Sequence, residues 1–196
     1  MAILKIARMG HPILRQVAAP VADPTAPEIL TLAEDMIESM HDASGTGLAA
    51  PQIHVPLRMV VFTVYPERAR AEDGPEADGV PLTVLINPEI EPLNEEKQLG
   101  WEGCLSIPGM MGEVPRFTHI RYSAYDLNGE RFTREATGFH ARVVQHECDH
   151  LDGILYPFRI EDMKRFGFTE ELTRRGRSSE PSEPKDPEEN ESEDEA

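Results

Sequence analysis

The residues best suited to chemistry lie in QHECDHLDG, Gln145 to Gly153. In a helix, His146 and His150 are four positions apart, about 400° of rotation, so they share a face with Glu147 beside them. Two imidazoles at that spacing can hold one metal ion, and the adjacent carboxylate can take the proton of a water activated there. Phe139, Val143, His146 and His150 step by four, three and four, which predicts a helix with both imidazoles on its core-facing stripe. The motif is short, and it also fits a helix whose histidines are merely buried and hydrogen-bonded.

A catalytic site of this type takes three protein ligands and keeps one position open. Cys148 points about 200° away from His146, and Asp149 follows Glu147 too closely to reach the same ion. The longer pattern H-E-x-x-H-x-x-G-x-x-H fits as far as Gly153 and then meets Tyr156 in place of histidine. Two candidates remain: a late glutamate, Glu170 or Glu171, and Cys104, the other of the two cysteines. At the level of residues and spacing the choice stays open.

The elements that must position these groups read as follows. An arm with a turn at Gly10-His11-Pro12 spans Ile3 to Val17, with His11 structural. Thr25 to His41 predicts a helix capped by Thr25, with Leu30, Ala33, Ile37 and Met40 as its core stripe. GTGLAAPQ, 45–52, superficially matches a dinucleotide fingerprint. A helix precedes it instead of a strand and Pro51 stops a helix from running through, so the context argues against nucleotide binding. Arg58 to Val64 and Leu82 to Asn87 read as buried strands, with Pro66 to Gly79 an exposed loop between them. Gly100 to Gly109, around Cys104, reads as a tight turn. Thr118 to Asp126 and Arg131 to Ala136 form a hairpin through Asn128-Gly129, and Ile160 to Thr173 a weaker terminal helix interrupted by Gly167.

With 196 residues and 39% hydrophobic content, one domain with a sizeable core is expected. The net charge of −17 disfavours nucleic acid and anionic membrane as partners. Nine acidic residues and one lysine fall in 178–196, a segment without a large apolar side chain, so a catalytic domain over 1–176 and a disordered acidic tail over 177–196 are predicted. Two cysteines argue against a disulfide framework, and no apolar run approaches the ~20 residues of a membrane span. MAILKIARMG is charged too early for a secretory signal, which makes the cytoplasm the expected compartment.

Three stretches in order, GTGLAAPQ (45–52), EGCLS (102–106) and QHECDH (145–150), resemble the signature motifs of the peptide deformylases, and GHPILRQVA (10–18) agrees. The resemblance covers Ile3 to Phe158. It implies a metal-dependent hydrolase that removes the N-formyl group from the initiator methionine of new polypeptides, releasing formate. It implies an α+β fold, antiparallel and mixed β-sheets around a central metal-bearing α-helix, and Cys104, His146 and His150 as ligands. It makes Glu147 the general base and then acid, with Gln52 and the backbone N–H of Leu105 as oxyanion donors. Gly47 would let the peptide add as a strand, while Phe139 and Val143 line the methionine pocket. The implied metal is Fe2+, with Zn2+ also suited to two histidines and a cysteine. The implied partners are nascent formyl-methionyl chains at the ribosome; the expected state is a monomer, and the charge argues against direct nucleic-acid or membrane contact. One departure stands out: some members carry a basic residue after the second motif, where this chain has Met110-Met111. The rival readings are a zinc endopeptidase using Glu170 or Glu171, which should cut unformylated bonds, and a zinc-stabilised binding module, which has no need of Glu147.

Overall fold

Pro27 at the first helical position and Glu28 in the first turn start helix α1 (Pro27–Asp42). The expected cap at Thr25 falls outside it. The Thr25 hydroxyl and N–H both donate to Asp23, at 2.7 and 2.9 Å, and Ala26 takes the N-cap position. The buried stripe runs through Ile29, Ala33, Met36 and Met40, whereas Leu30 is 38% exposed. The structure is a computed structural model and describes residues 2–177; apart from Arg177, which is helical, the tail expectation concerns residues outside that range.

Among the described residues eight strands follow in chain order: β1 (Gly47–Ala49), β2 (Met59–Val64), β3 (Val80–Pro92), β4 (Lys97–Cys104), β5 (Ile107–Phe117), β6 (His119–Tyr125), β7 (Arg131–Thr137) and β8 (Phe166–Phe168). They form a five-stranded sheet, β1-β2-β3-β6-β7, and a three-stranded sheet, β4-β5-β8. Every ladder is antiparallel, and parallel pairing among the described residues is confined to the bridge Ala19–Leu57. The α+β class therefore holds, with the mixed pairing reduced to that one bridge.

The continuous apolar run of β2 reflects burial on both faces. Val60, Phe62 and Val64 join the core beneath the histidine-bearing helix, while Met59 and Val61 join the one beneath α1. Each fully buried side chain of this size contributes roughly 1.5–3 kcal/mol. The hairpin between β6 and β7 turns at Asn128-Gly129 as expected, with Gly129 at φ +76° and the Asp126 carboxylate accepting the N–H groups of Asn128 and Glu130.

Three segments depart from the sequence reading. The exposed loop contains helix α2 (Pro66–Asp73), started by Pro66 and braced by an Arg68–Glu72 pair at 2.9 Å; it buries only Ala69, so no apolar stripe announces it. The tight turn around Cys104 is two long paired strands, and only Leu105 and Ser106 turn between them. The terminal helix gives way to strand β8, which pairs with β5, before helix α4 (Thr169–Arg177) begins.

Helix α3 (Gly138–Leu151) packs against both sheets and is almost wholly buried. No side chain of its own caps it; the Asp73 carboxylate of α2 accepts the Phe139 N–H at 2.8 and 3.0 Å instead. An anion at a helix N-terminus complements the dipole and satisfies an otherwise orphaned donor. No helix among the described residues is long and apolar enough to cross a membrane.

Candidate metal centre

His146 and His150, one turn apart on α3, present their rings at 79° with centroids 5.1 Å apart. The end of β4 brings Cys104 to them, its Sγ 3.4 Å from His150 Nε2. One ligand atom from each of the three lies within 4.8 Å of the others, the one such group of three among the described residues. Glu170 and Glu171 sit instead in the first turn of α4, where Glu171 pairs with Arg174 at 3.2 Å. Cys148 is buried in the core toward the five-stranded sheet. Tyr156, where the longer motif would need histidine, lies near-parallel to the His146 ring at 6.1 Å.

Sequence reasoning missed Glu102. It is two residues before Cys104 on β4, and its carboxylate accepts from His146 Nδ1 at 2.7 Å. That bond fixes the imidazole orientation and leaves Nε2 as the lone pair. Glu102 is held in turn by Arg116, at 2.9 and 3.0 Å, and by Arg142 at 2.9 Å. Arg116 also donates to Asp149 at 2.6 Å, and Arg159 closes the network on Asp149 at 2.7 Å. Burial alone would raise the Glu102 carboxyl, but hydrogen bonds from His146 and Arg116 outweigh it and hold it well below the usual carboxylate range. The only signal in sequence was the alternation of a strand, which the turn reading had hidden.

The donor set fits a divalent ion: two imidazoles and a thiol suit zinc or ferrous iron over magnesium or calcium. Burial disfavours charge on both rings. At His150, burial and then His146 push the pKa well down, keeping the neutral imidazole a ligand needs. At His146, Cys104 and Glu102 overcome burial and favour positive charge.

Glu147 lies beside this group, buried, with Oε2 lacking any hydrogen-bond partner among the described residues. Burial pushes its carboxyl up to about 7. Gly47 approaches it so closely that an added Cβ would overlap Oε1 and stand 2.7 Å from Cγ. The reason for glycine here is thus room for Glu147, a reason the sequence did not suggest. Gln52 is fixed at both ends: Oε1 accepts from Ala49 N at 2.8 Å, while Nε2 donates to Ser106 Oγ at 3.1 Å and lies 3.5 Å from Cys104 Sγ.

Gly47, Gln52, Glu102, Cys104, His146 and Glu147 border one cavity of about 450 Å³, with His150 behind them outside its lining. Leu105 lines it at the β4–β5 turn, Phe139 and Val143 line it from α3, and Met110 lines it from β5. Met111 faces Gly167 across the β5–β8 ladder, so this strand brings no cation to the cavity. β1 is the end strand of its sheet, with its second edge unpaired among the described residues.

A family model for polypeptide deformylase matches residues 3–166. Peptide deformylase 1 of Bordetella pertussis is 57% identical over 167 residues, 85% of this chain and 93% of that one. Peptide deformylase 2 of Ralstonia nicotianae is 55% identical over 170 residues, 87% of this chain and 94% of that one. Among solved structures, a ligand-bound class I type b peptide deformylase from Acinetobacter baumannii superposes with a TM-score of 0.75 at 36% identity, covering 82% of this chain and all of that one. The peptide deformylase of Thermotoga maritima gives 0.71 at 34% identity, covering 83% of this chain.

Proposed function

Because this chain belongs to the peptide deformylase family, we propose that Cys104, His146 and His150 hold its catalytic ion and that Glu147, Gln52 and Leu105 do the chemistry around it. The chain is a metal-dependent hydrolase that removes the N-formyl group from the N-terminal methionine of newly synthesised proteins, releasing formate. The observation that carries the residue assignment is the convergence of three ligand atoms within 4.8 Å, with the buried Glu147 carboxyl lining a cavity together with two of them, Cys104 and His146.

A divalent ion in that set supplies Lewis acidity; we take it to be Fe2+, with Zn2+ an alternative the same donors accommodate. Glu147 accepts the proton of the attacking water and delivers it to the departing amine nitrogen. A carboxyl pushed up to about 7 by burial is suited to both halves of that exchange. The oxyanion that forms at the formyl oxygen receives Gln52 Nε2–H and the Leu105 backbone N–H. Gln52 needs no reorganisation, since its amide is already clamped by Ala49 and Ser106. Glu102 keeps His146 in the tautomer that leaves Nε2 free. Phe139 and Val143 receive the methionine side chain, and the peptide adds to the free edge of β1. Gly47 serves that approach and, more directly, gives Glu147 its space.

The catalytic unit spans 1–176, followed by the acidic tail 177–196. It works as a cytoplasmic monomer on chains emerging from the ribosome, without binding nucleic acid or membrane itself.

Metal content measured beside formate release from a formyl-methionyl peptide tests the assignment. Cys104→Ala should lose both tight metal binding and deformylation, whereas Cys148→Ala and the paired Glu170→Ala, Glu171→Ala change should keep both. A metal-free glutamate variant would transfer the third ligand to α4 and undo this site.

A further inference from the structure

The cavity has a charged mouth that the reaction as described does not use. Two arginines line it, Arg68 from α2 and Arg142 from α3. Arg142 is spent inward, donating to Glu102 at 2.9 Å and to the carbonyls of Val114 and Gln98 at 2.9 and 2.7 Å. Arg68 is 54% exposed, its guanidinium lies 5.1 Å over the Phe139 ring, and Glu72 is the carboxylate it pairs with. The two carboxylates lining the cavity, Glu102 and Glu147, lie deep within it and are buried. Among the described residues, Arg68 is therefore the cation available to a ligand at the cavity's outer end.

We propose that Arg68 is a specificity-determining residue that favours formyl peptides carrying a carboxylate at or near their third residue. The inference rests on the deformylase reading and extends it to substrate choice. Distance fixes the position. Phe139 precedes His146 by seven residues, a rise of about 10 Å along α3. The cavity runs along that same line, from His146 and Glu147 past Val143 to Phe139 and Arg68. An extended peptide advances about 3.3 Å per residue, so one whose formyl group sits at His146 brings its third residue level with Arg68. In a strand the side chains of residues one and three point the same way, so the third follows the methionine toward α3.

The arginine is held for this role. Asp73, five residues on, anchors α2 to the N-terminus of α3, and the Phe139 ring supports the guanidinium from below. Glu72 is an exposed partner in an i,i+4 pair, which is weak and exchangeable. The overall charge of −17 opposes acidic peptides at long range, but at physiological salt it is screened beyond about 8 Å, and the local cation decides.

The source of the carboxylate, a side chain or the chain end, is separated by three substrates assayed at ~0.15 M salt. These are formyl-Met-Ala-Glu-amide, formyl-Met-Ala-Gln-amide, and formyl-Met-Ala-Gln with a free C-terminus. The metal-loaded full chain should show kcat/KM for the glutamate peptide about three- to tenfold above the glutamine amide. Arg68→Gln should bring that ratio to about one, Arg68→Lys should largely keep it, and Glu72→Gln should raise it. A preference seen only for the free C-terminus, and lost in Arg68→Gln, supports recognition of the chain end by the same cation. No preference in the wild-type chain, or one that survives Arg68→Gln, overturns the proposal. Equal turnover of all three peptides leaves the deformylase reading standing, whereas release of formate from none of them removes that reading first.

Discussion

Replacing Gly47 by alanine isolates one contact, between β1 and the carboxylate of Glu147. Gly47 does not occupy a left-handed backbone conformation, so alanine brings no backbone strain and the effect is steric. Its Cβ would overlap Glu147 Oε1 and lie 2.7 Å from Cγ, against an ordinary contact of about 3.5–4.0 Å. Glu147 must therefore retreat by about 1 Å, and a displacement of that size at a reacting group can cost on the order of 10² in rate. The ceiling is loss of proton transfer altogether, about 10²–10⁴. Overpacking costs roughly 1–3 kcal/mol, a shift of several degrees in Tm, so the variant should stay folded at assay temperature. Kinetics on a formyl-Met peptide, metal content and a thermal melt would be read together. Gly47→Ala should keep its metal and lose about 10² in kcat. Made in a Glu147→Ala background, the same change should add almost nothing, because the group it displaces is already gone. Losses that multiply across the pair, near-native kcat in the single variant, or a metal-free single variant would each refute the steric argument.

Gln52→Ala should retain metal and lose about 10²–10³ in kcat as an oxyanion donor disappears, with melting lowered because the buried Ala49 N–H loses its acceptor. Glu102→Ala should weaken metal affinity by about 10–100-fold, measured by competition with a chelator, since His146 loses its orienting acceptor and Arg116 its bidentate partner. Unchanged affinity would leave Glu102 a purely structural ion. Removing residues 178–196 should keep formyl-peptide turnover within about twofold. A tenfold loss would give the acidic segment a part in folding or catalysis.

The helix spacing of His146, Glu147 and His150 was legible because period 3.6 places them without help from the rest of the fold. Asn128-Gly129 was legible for a similar reason, since its turn chemistry is local. What escaped depends on partners distant in sequence. α2 has no apolar stripe, and what it contributes is Asp73 under α3 and Arg68 at the cavity mouth. β4 and β5 are rich in glycine and proline, which signals a turn, yet their ladder and the packing of Arg142 against Gly100 make them strands. Glu102 was invisible as one glutamate among many until His146, 44 positions away, was seen to donate to it. Sequence alone balanced Cys104 against Glu170 and Glu171. Resemblance favoured the cysteine, and only the three-dimensional arrangement shows which of them lies beside the histidines.

The candidate ligands also come from separate parts of the architecture. Cys104 ends a strand of the three-stranded sheet, whereas both histidines ride on a helix packed largely against the five-stranded one. An ion shared by the three would therefore act as a rivet between the two halves, closing a loop of some forty residues from Cys104 to His146. A ligand that binds only the folded state stabilises it by mass action, about 2.7 kcal/mol at a hundredfold excess over Kd. The melting temperature of this enzyme thus doubles as a gauge of its occupancy, and starving it of metal would cost it rigidity as well as turnover.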